Sequence, residues 1–170
     1  MEDKEILFFE EQKPRQWWLQ LLIISYAIFI TYNVYLQLFH AVPVMDLNIP
    51  DWLLIVLWVL FAVIIPILFY KAKLTTQVKK DGIYVQFFPF HIQSIKITPE
   101  DIKEIEILTY NPLMDYGGWG VRYGKNGNAL NVYGNRGVNI KLTYARDLLI
   151  GSQKPEELYN AINSILTKSS

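Results

Sequence analysis

The sequence has no cysteine, only two histidines, and none of the motifs that mark several large enzyme classes. Neither H-E-x-x-H nor G-x-S-x-G occurs, and neither His40 nor His91 belongs to a cluster with metal-ligand spacing. Glu104 and Glu106 invite comparison with a catalytic carboxylate pair, but they alternate with apolar residues, which is typical of the solvent face of a strand. We therefore expect a protein that is not an enzyme and that uses neither a cofactor nor a metal ion.

Charge is missing from two long runs of the sequence. Residues 17–39 and 52–70 contain no Asp, Glu, Lys, Arg or His, and each run is close to the roughly 20 residues that a helix needs to cross a bilayer. Residues 1–16 hold five acids and three bases, and no small-residue cleavage site follows them, which argues against a signal peptide. The sequence thus predicts a transmembrane helical hairpin at 17–70, without the charged groups of a proton or ion pathway.

Lysine and arginine are absent from the connector between the two runs, residues 40–51. They flank the hairpin only on its other side, which by the positive-inside rule predicts that both termini are cytoplasmic. Residues 1–16 would then be a cytoplasmic tail of a protein of the inner cell membrane. The formal net charge is zero, so nucleic acid is not an expected partner. The bases that decide the orientation are Lys13, Arg15, Lys71, Lys73, Lys79 and Lys80.

Polar side chains in the first run include three that share one strip of the predicted helix. Tyr26, Asn33 and Gln37 are spaced seven and four residues apart, which places them on one side. An amide in lipid needs a hydrogen-bond partner. We expect Trp58, at similar depth in the second run, to donate its indole N–H to the Asn33 carbonyl. The alternative is that the strip contacts another subunit.

From residue 71 onward the periodicity is that of short strands. Asp81-Gly82 predicts a tight turn, and the segment 101–110 alternates apolar and polar residues. Recurring turn signals predict seven short antiparallel strands in a cytoplasmic, mostly-β domain at 71–170. An amphipathic helix at about 154–167 closes the chain, with Ser152 as its N-cap. Its apolar face comprises Leu158, Ile162, Ile165 and Leu166.

Several phrases of the sequence follow one another in the order found in a known family. After the apolar runs come "KLTTQVKKDGIYVQF", "YGGWGVRYG", "NVYGNRGV" and "LLIGSQKPEELYNAI". Over residues 71–166 the chain resembles the bacterial and archaeal membrane-anchored pleckstrin-homology-like proteins. The resemblance implies a seven-stranded bent barrel or sandwich that is capped by a C-terminal α-helix and has no enzymatic activity.

Seven of the nine glycines fall in the segment 115–142. A phosphate-binding loop places its glycines between a strand and a helix, whereas alternating strand residues follow these. The spacing Gly118-x-Gly120-x-x-x-Gly124 also fits neither common phosphate-loop motif. The glycines are therefore interpreted as turn and bend residues of a sheet.

The same segment supplies the candidate contact residues. Tyr116 and Trp119, predicted to be exposed, with Arg122 nearby, have the composition that protein-binding surfaces favour. Five bases, predicted to come from neighbouring strands or turns, are a second candidate, for anionic lipid headgroups. Plain surface charge remains an alternative explanation for them. These bases are Arg122, Lys125, Arg136, Lys141 and Arg146.

Three functions are compatible with these features. The first is a membrane protein that presents its cytoplasmic domain as a protein-binding or scaffolding module. The second is a small accessory subunit of a larger membrane complex, held through the hairpin and its polar strip. The third is the sensing of anionic lipid in the inner leaflet. Another protein is the expected partner in the first two, and a homo-oligomer is compatible with all three.

Overall fold

The computed structural model describes residues 5–14, 16–43, 49–124 and 127–167. The chain forms two compact units. One is helical and lies within Pro14–Lys71, and the other contains the described residues up to Lys13 and from Ala72 onward. The N-terminal segment, predicted to be a tail, is therefore part of the same unit as the C-terminal part of the chain.

The helical unit contains two long helices, α1 (Trp17–His40) and α2 (Asp51–Lys71). By length and composition both are able to cross a membrane, with mean hydropathy of 1.6 and 3.0 in their most apolar windows. Only 6% of each window is buried, so these are not the core helices of a soluble domain. Their apolar side chains face outward instead.

Helix α2 changes its hydrogen-bond register before its proline. Residues Val59–Ile64 are π-helical, and the Ile65 amide donates to the Leu60 carbonyl five residues back. Pro66 has no amide hydrogen to donate within the helix. A π-helical turn next to such a site lets α2 continue as helix to Lys71.

Polar side chains of α1 mostly return to their own helix. The Asn33 amide donates to the Phe29 carbonyl at 2.8 Å, and the Thr31 hydroxyl donates to the Ala27 carbonyl at 2.7 Å. The Trp58 indole donates to the Thr31 hydroxyl at 2.9 Å, so the predicted partner, Asn33, is wrong by two residues. The predicted depth is nearly right, because Thr31 and Asn33 are two residues apart in α1.

The second unit contains two sheets. The first sheet is antiparallel, with the order β1-β2-β3-β4. Its strands are β1 (Ile6–Gln12), β2 (Lys73–Lys79), β3 (Gly82–Phe88) and β4 (Ile95–Ile97). The predicted turn at Asp81-Gly82 joins β2 to β3. Strand β1 was not predicted, and it pairs along its length with β2.

The second sheet has five strands in the order β5-β8-β9-β7-β6. All pairs are antiparallel except β7 with β9, which is parallel. A one-turn helix, α3 (Pro112–Tyr116), precedes β6, and α4 (Pro155–Leu166) follows β9. The strands are β5 (Ile102–Thr109), β6 (Gly120–Gly124), β7 (Gly127–Asn131), β8 (Arg136–Leu142) and β9 (Leu148–Gly151).

The core of this unit lies between the inner faces of the two sheets and helix α4. Alternating residues of β2 and β3 point inward, and Leu74, Val78 and Ile83 are fully buried. Strand β9 is buried at every position. Helix α4 begins one residue after the predicted start and contributes Leu158, Ile162 and Ile165 of its predicted face.

Strand β1 is tied to the segment between β9 and α4. The Glu10 carboxylate accepts from the Ser152 hydroxyl at 2.6 Å and from the Gln153 amide at 2.9 Å. The Gln12 side chain donates to the Gly151 carbonyl at 2.7 Å. Ser152 was predicted as the N-cap of α4, but its hydroxyl donates to Glu10 instead, and Lys154 is the N-cap residue. A first-sheet edge strand is thus fastened to the second sheet by polar contacts.

Two predictions about the β architecture need correction. Nine strands, not seven, lie in the described residues, and β1 is a strand in a segment that was predicted to be a tail. The predicted barrel is two separate sheets in the described part of the chain, and neither closes on itself. What holds is a mostly-β unit with a C-terminal helix and, between its strands β1 and β2, a helical hairpin.

Candidate interaction surface

Helix α3 begins at Pro112 and is capped by Asn111, the residue before it. The Asn111 side chain accepts from the amides of Leu113 and Met114, at 3.1 and 3.2 Å, as an N-cap does. The Asp115 carboxylate accepts in return from the backbone N–H of Asn111 at 2.7 Å. Gly117 ends the helix with a φ of 71°, a conformation that glycine adopts without strain.

The predicted contact residues Tyr116, Trp119 and Arg122 lie close together in the chain, but none is fully exposed. The Trp119 indole donates to the Gly134 carbonyl at 3.1 Å, and the Arg122 guanidinium donates to the Trp119 carbonyl at 2.9 Å. Contrary to the predicted exposure, both side chains are half-buried and hold the turns of the glycine-rich segment together. Whether they contact a partner stays a prediction.

Tyr116 packs inward, against Tyr110. The two rings meet edge to face, with centroids 5.7 Å apart and planes at 88°. Burial raises the pKa of both hydroxyls above the usual value for tyrosine. The Tyr110 hydroxyl accepts from the Asn131 side chain at 3.2 Å, and Asn131 in turn accepts from the Gly120 amide at 2.9 Å. Tyr116 therefore belongs to a packed support beneath β6.

Three other apolar side chains of this segment are exposed. They are Leu113 and Met114 on α3, and Tyr123 on β6, with Met114 at 83% exposure. Helix α3 packs against β6, and β6 is an edge strand of the second sheet. We call Leu113, Met114 and Tyr123 the α3–β6 surface. Residue patterns did not single them out, because α3 is too short to show a period.

The predicted basic patch is dispersed. Arg136 forms an ion pair with Glu156, and the hydrogen bond between them holds the pKa of the Glu156 carboxyl below its usual value. Lys141 pairs with Glu104 at 3.0 Å, and this hydrogen bond raises the pKa of the Lys141 ammonium. Two of the predicted bases are thus already partnered by carboxylates of the same unit.

The remaining bases do not converge on these two. Arg122 on β6 and Lys141 on β8 are three strand positions apart, which is about 14 Å across a sheet. Arg136 and Lys141 stand near opposite ends of β8. Arg146 is exposed after β8, and Lys125 lies outside the described residues. No single concave cluster of bases for a headgroup forms among the described residues.

The polar strip of α1 divides among different partners. The Gln37 amide donates to the Ile49 carbonyl at 2.8 Å and to the Asp51 carboxylate at 3.0 Å, which ties the end of α1 to the start of α2. Asn33 is bonded within α1, as described above. Tyr26 is exposed. Of the predicted strip, Tyr26 is the residue that presents its ring outward.

The general class of this protein is defined by two features. It has two helices that are long and apolar enough to cross a membrane, and a mostly-β unit of two sheets and a C-terminal helix. The chain belongs to DUF6141, a family of unknown function, whose family model matches residues 1–169. No curated protein matches the sequence. Family membership brings no activity with it, so function rests on the surfaces described above.

Proposed function

We propose that this chain is an integral membrane protein whose hairpin crosses the bilayer twice and holds the β unit at the membrane surface. The support is the exposure of α1 and α2: both are strongly apolar, and only 6% of the most apolar window of each is buried. Exposed apolar surface on this scale is rare on soluble monomers, whereas lipid covers it in a membrane.

One observation carries the topology, namely the pairing of β1 with β2. Strand β1 ends shortly before α1 begins, and β2 starts shortly after α2 ends. Strands that are hydrogen-bonded to each other lie on the same side of a membrane, so the chain enters and leaves the hairpin on one side. In this proposal that side is the cytoplasm, at the inner membrane of a prokaryotic cell, and the support is the positive-inside rule applied to Lys13, Lys71 and Lys73.

The β unit is proposed to be a divergent pleckstrin-homology-like domain. In support, a four-stranded antiparallel sheet precedes a second sheet and a C-terminal helix, and α4 packs into the core between them. The differences are the extra strands and the parallel pair β7–β9. Such a domain without converging bases fits a protein-binding module better than a headgroup receptor.

Protein binding is assigned in this proposal to the α3–β6 surface. An edge strand offers unpaired backbone groups, and exposed apolar side chains beside it supply contact area. Leu113 and Met114 sit on a helix that Asn111 and Asp115 hold in shape, so the surface is ordered before a partner arrives. Ordering in advance lowers the entropic cost of binding.

Photo-crosslinking in the native membrane tests this assignment. A benzophenone amino acid is placed at Met114 of the full chain, and a matched variant carries it at Tyr144, which is 91% exposed in the connection between β8 and β9. We expect a crosslinked second protein from the Met114 position and none from Tyr144. Equal or absent crosslinking at both positions would remove the α3–β6 surface as the binding site.

The rival role, an accessory subunit held through the hairpin, is favoured by one observation, the exposed Tyr26 on an apolar helix. The same reagent at Tyr26 separates the two roles. A membrane-protein adduct from Tyr26, without an adduct from Met114, would make the hairpin the essential contact and the β unit its support.

A further inference from the structure

The connection between β3 and β4 exposes two large apolar side chains. Phe90 is 68% exposed and Ile92 is 86% exposed, although both stand in a loop, where polar residues prevail. Residues 87–95 contain no Asp, Glu, Lys or Arg. We call residues 89–94 the Phe90 loop. It exposes Phe90 and Ile92, and its one ionisable residue is the partly buried His91.

The Phe90 loop is held in shape by its own contacts. The His91 amide donates to the Phe87 carbonyl at 2.8 Å, and the Gln86 side chain donates to the Ile92 carbonyl at 2.8 Å. The Phe90 ring lies against the buried Phe87 ring, with centroids 5.7 Å apart. The exposure of Phe90 and Ile92 is therefore part of a fixed loop structure.

The strand register shows at which end of the first sheet this loop lies. Phe88, the last residue of β3, pairs with Lys73, the first residue of β2, and Leu74 pairs with Gln12 at the end of β1. Gln12 and Lys73 are the points where the chain leaves the sheet toward α1 and α2. The Phe90 loop thus extends from the sheet end that is covalently joined to both apolar helices.

The connection between α2 and β2, which tethers this end of the sheet to the helices, is short. Lys73 follows the last residue of α2, Lys71, by two residues, which span at most about 7 Å when fully extended. The opposite end of the sheet is charged: Lys80 pairs with Glu5 at 2.6 Å, and Lys96 pairs with Asp81 at 2.9 Å. The tethered end also has ion pairs, between Glu11 and both Lys73 and Lys13, but these lie on β1, on β2 and in the connection to α1, and the Phe90 loop beside them adds none.

We infer that the Phe90 loop inserts into the interfacial layer of the bilayer beside the hairpin, with Phe90 and Ile92 as its anchors. This inference rests on the proposed function, in which α1 and α2 span the membrane. The exposed side chains of Phe90 and Ile92 gain by leaving water at the boundary of headgroups and acyl chains. The occupant of this loop surface is therefore lipid, and the insertion fixes the tilt of the β unit on the membrane.

Site-specific fluorescence on the full chain tests the insertion. Because the chain has no cysteine, single-cysteine variants are labelled at one position only. Ile92→Cys carries an environment-sensitive dye, Lys80→Cys reports the distal end of the same sheet, and Leu60→Cys reports the middle of α2. The proteins are reconstituted in vesicles of phosphatidylcholine with a minority of phosphatidylglycerol, with and without lipids that carry a nitroxide quencher near the headgroup or in the chain.

The expected result is quenching at Leu60 and Ile92 and little at Lys80, with at least about twofold more quenching by the shallow quencher at Ile92 than at Lys80. Quenching at Leu60 with Ile92 no different from Lys80 would overturn the loop insertion and leave the membrane hairpin intact. Absence of quenching at Leu60 would overturn the proposed function, and the insertion with it.

A second variant guards against an effect of the label itself. The dye is placed at Ser94, and Phe90→Ser with Ile92→Ser is introduced beside it. Both replaced side chains are exposed, so the fold is retained, which circular dichroism verifies. Loss of the quenching at Ser94 is the expected outcome. Unchanged quenching would show that Phe90 and Ile92 are not the anchors.

Discussion

Within the hairpin, Ser25 and Asn33 bond to residues three and four positions away, Leu22 and Phe29, and even the Trp58–Thr31 bond between the helices spans only 27 positions. In the β unit, Gln12 and Glu10 reach partners 139 and 142 positions away in the chain. The apolar side chains differ in the same sense, since those of the helices point outward and those of the sheets are enclosed. Contacts between residues close in the sequence determine most of the hairpin, and its apolar side chains need an apolar environment to cover them. Contacts between residues far apart in the sequence determine the β unit, which covers its own apolar side chains.

The largest expected effect on stability comes from comparing one leucine substitution in the β unit with one in the hairpin. Leu158→Ala on α4 removes a fully buried side chain, and we expect a loss of about 2–5 kcal/mol in the stability of the β unit. Leu68→Ala on α2 changes an exposed side chain and should cost less than about 0.5 kcal/mol. Urea unfolding of the full chain in detergent, followed by near-ultraviolet circular dichroism, measures both. Equal losses would contradict the contrast.

A smaller effect is expected from the hydrogen bond between the two helices. In a double-mutant cycle of Thr31→Val and Trp58→Phe, we expect a coupling energy of about 0.5–1.5 kcal/mol, measured by denaturing the hairpin with sodium dodecyl sulfate. The matched cycle pairs Thr31→Val with Trp52→Phe, an exposed tryptophan near the start of α2, and should give no coupling. The same coupling in both cycles would show that the Thr31–Trp58 bond adds nothing specific.

The smallest expected effect on stability is at the junction between the first sheet and the two helices. The Glu11 carboxylate bonds to Lys73 at 2.7 Å and to Lys13 at 3.0 Å, and these contacts, Lys73 first, lower the pKa of the Glu11 carboxyl below 4.5. A lowered pKa in the folded state stabilises the fold above the unfolded pKa, and this contribution is lost as pH falls through the folded pKa. We expect Glu11→Gln to cost less than about 1 kcal/mol at neutral pH and nothing at a pH well below 4.5.

Urea unfolding of the Glu11→Gln variant and the unchanged protein at both pH values checks this, with added salt as the control. Salt should shrink the neutral-pH difference, because partly exposed ion pairs are screened. A difference that persists at low pH and high salt would assign the effect of Glu11 to packing and not to charge.

What the sequence predicts well is local. The two charge-free runs, the turn at Asp81-Gly82 and the apolar face of α4 depend on residues a few positions apart, and each appears where it was expected. Segment 101–110 likewise contains β5, although its pairing with β8 shifts register between Ile102 and Glu104.

What the sequence predicts poorly depends on distant partners. Strand β1 was missed because its inward positions include Glu10 and Gln12, which look exposed until Ser152 and Gly151 supply their partners. Trp119 and Arg122 were expected at the surface because aromatic and basic residues in a glycine-rich segment have the composition of a binding surface. Only the fold brings the Gly134 and Trp119 carbonyls within reach of their N–H groups.

The pairing of β1 with β2 also orders events in time. Glu11 and Lys73 are cross-strand neighbours that are 62 positions apart in the chain, so a ribosome adding roughly 5–20 residues each second finishes β1 about 3–12 seconds before it makes the partner residue. During that interval both helices are synthesised while β1 lacks its partner strand. The pairing of β1 with β2 therefore has to wait until the whole hairpin has been made.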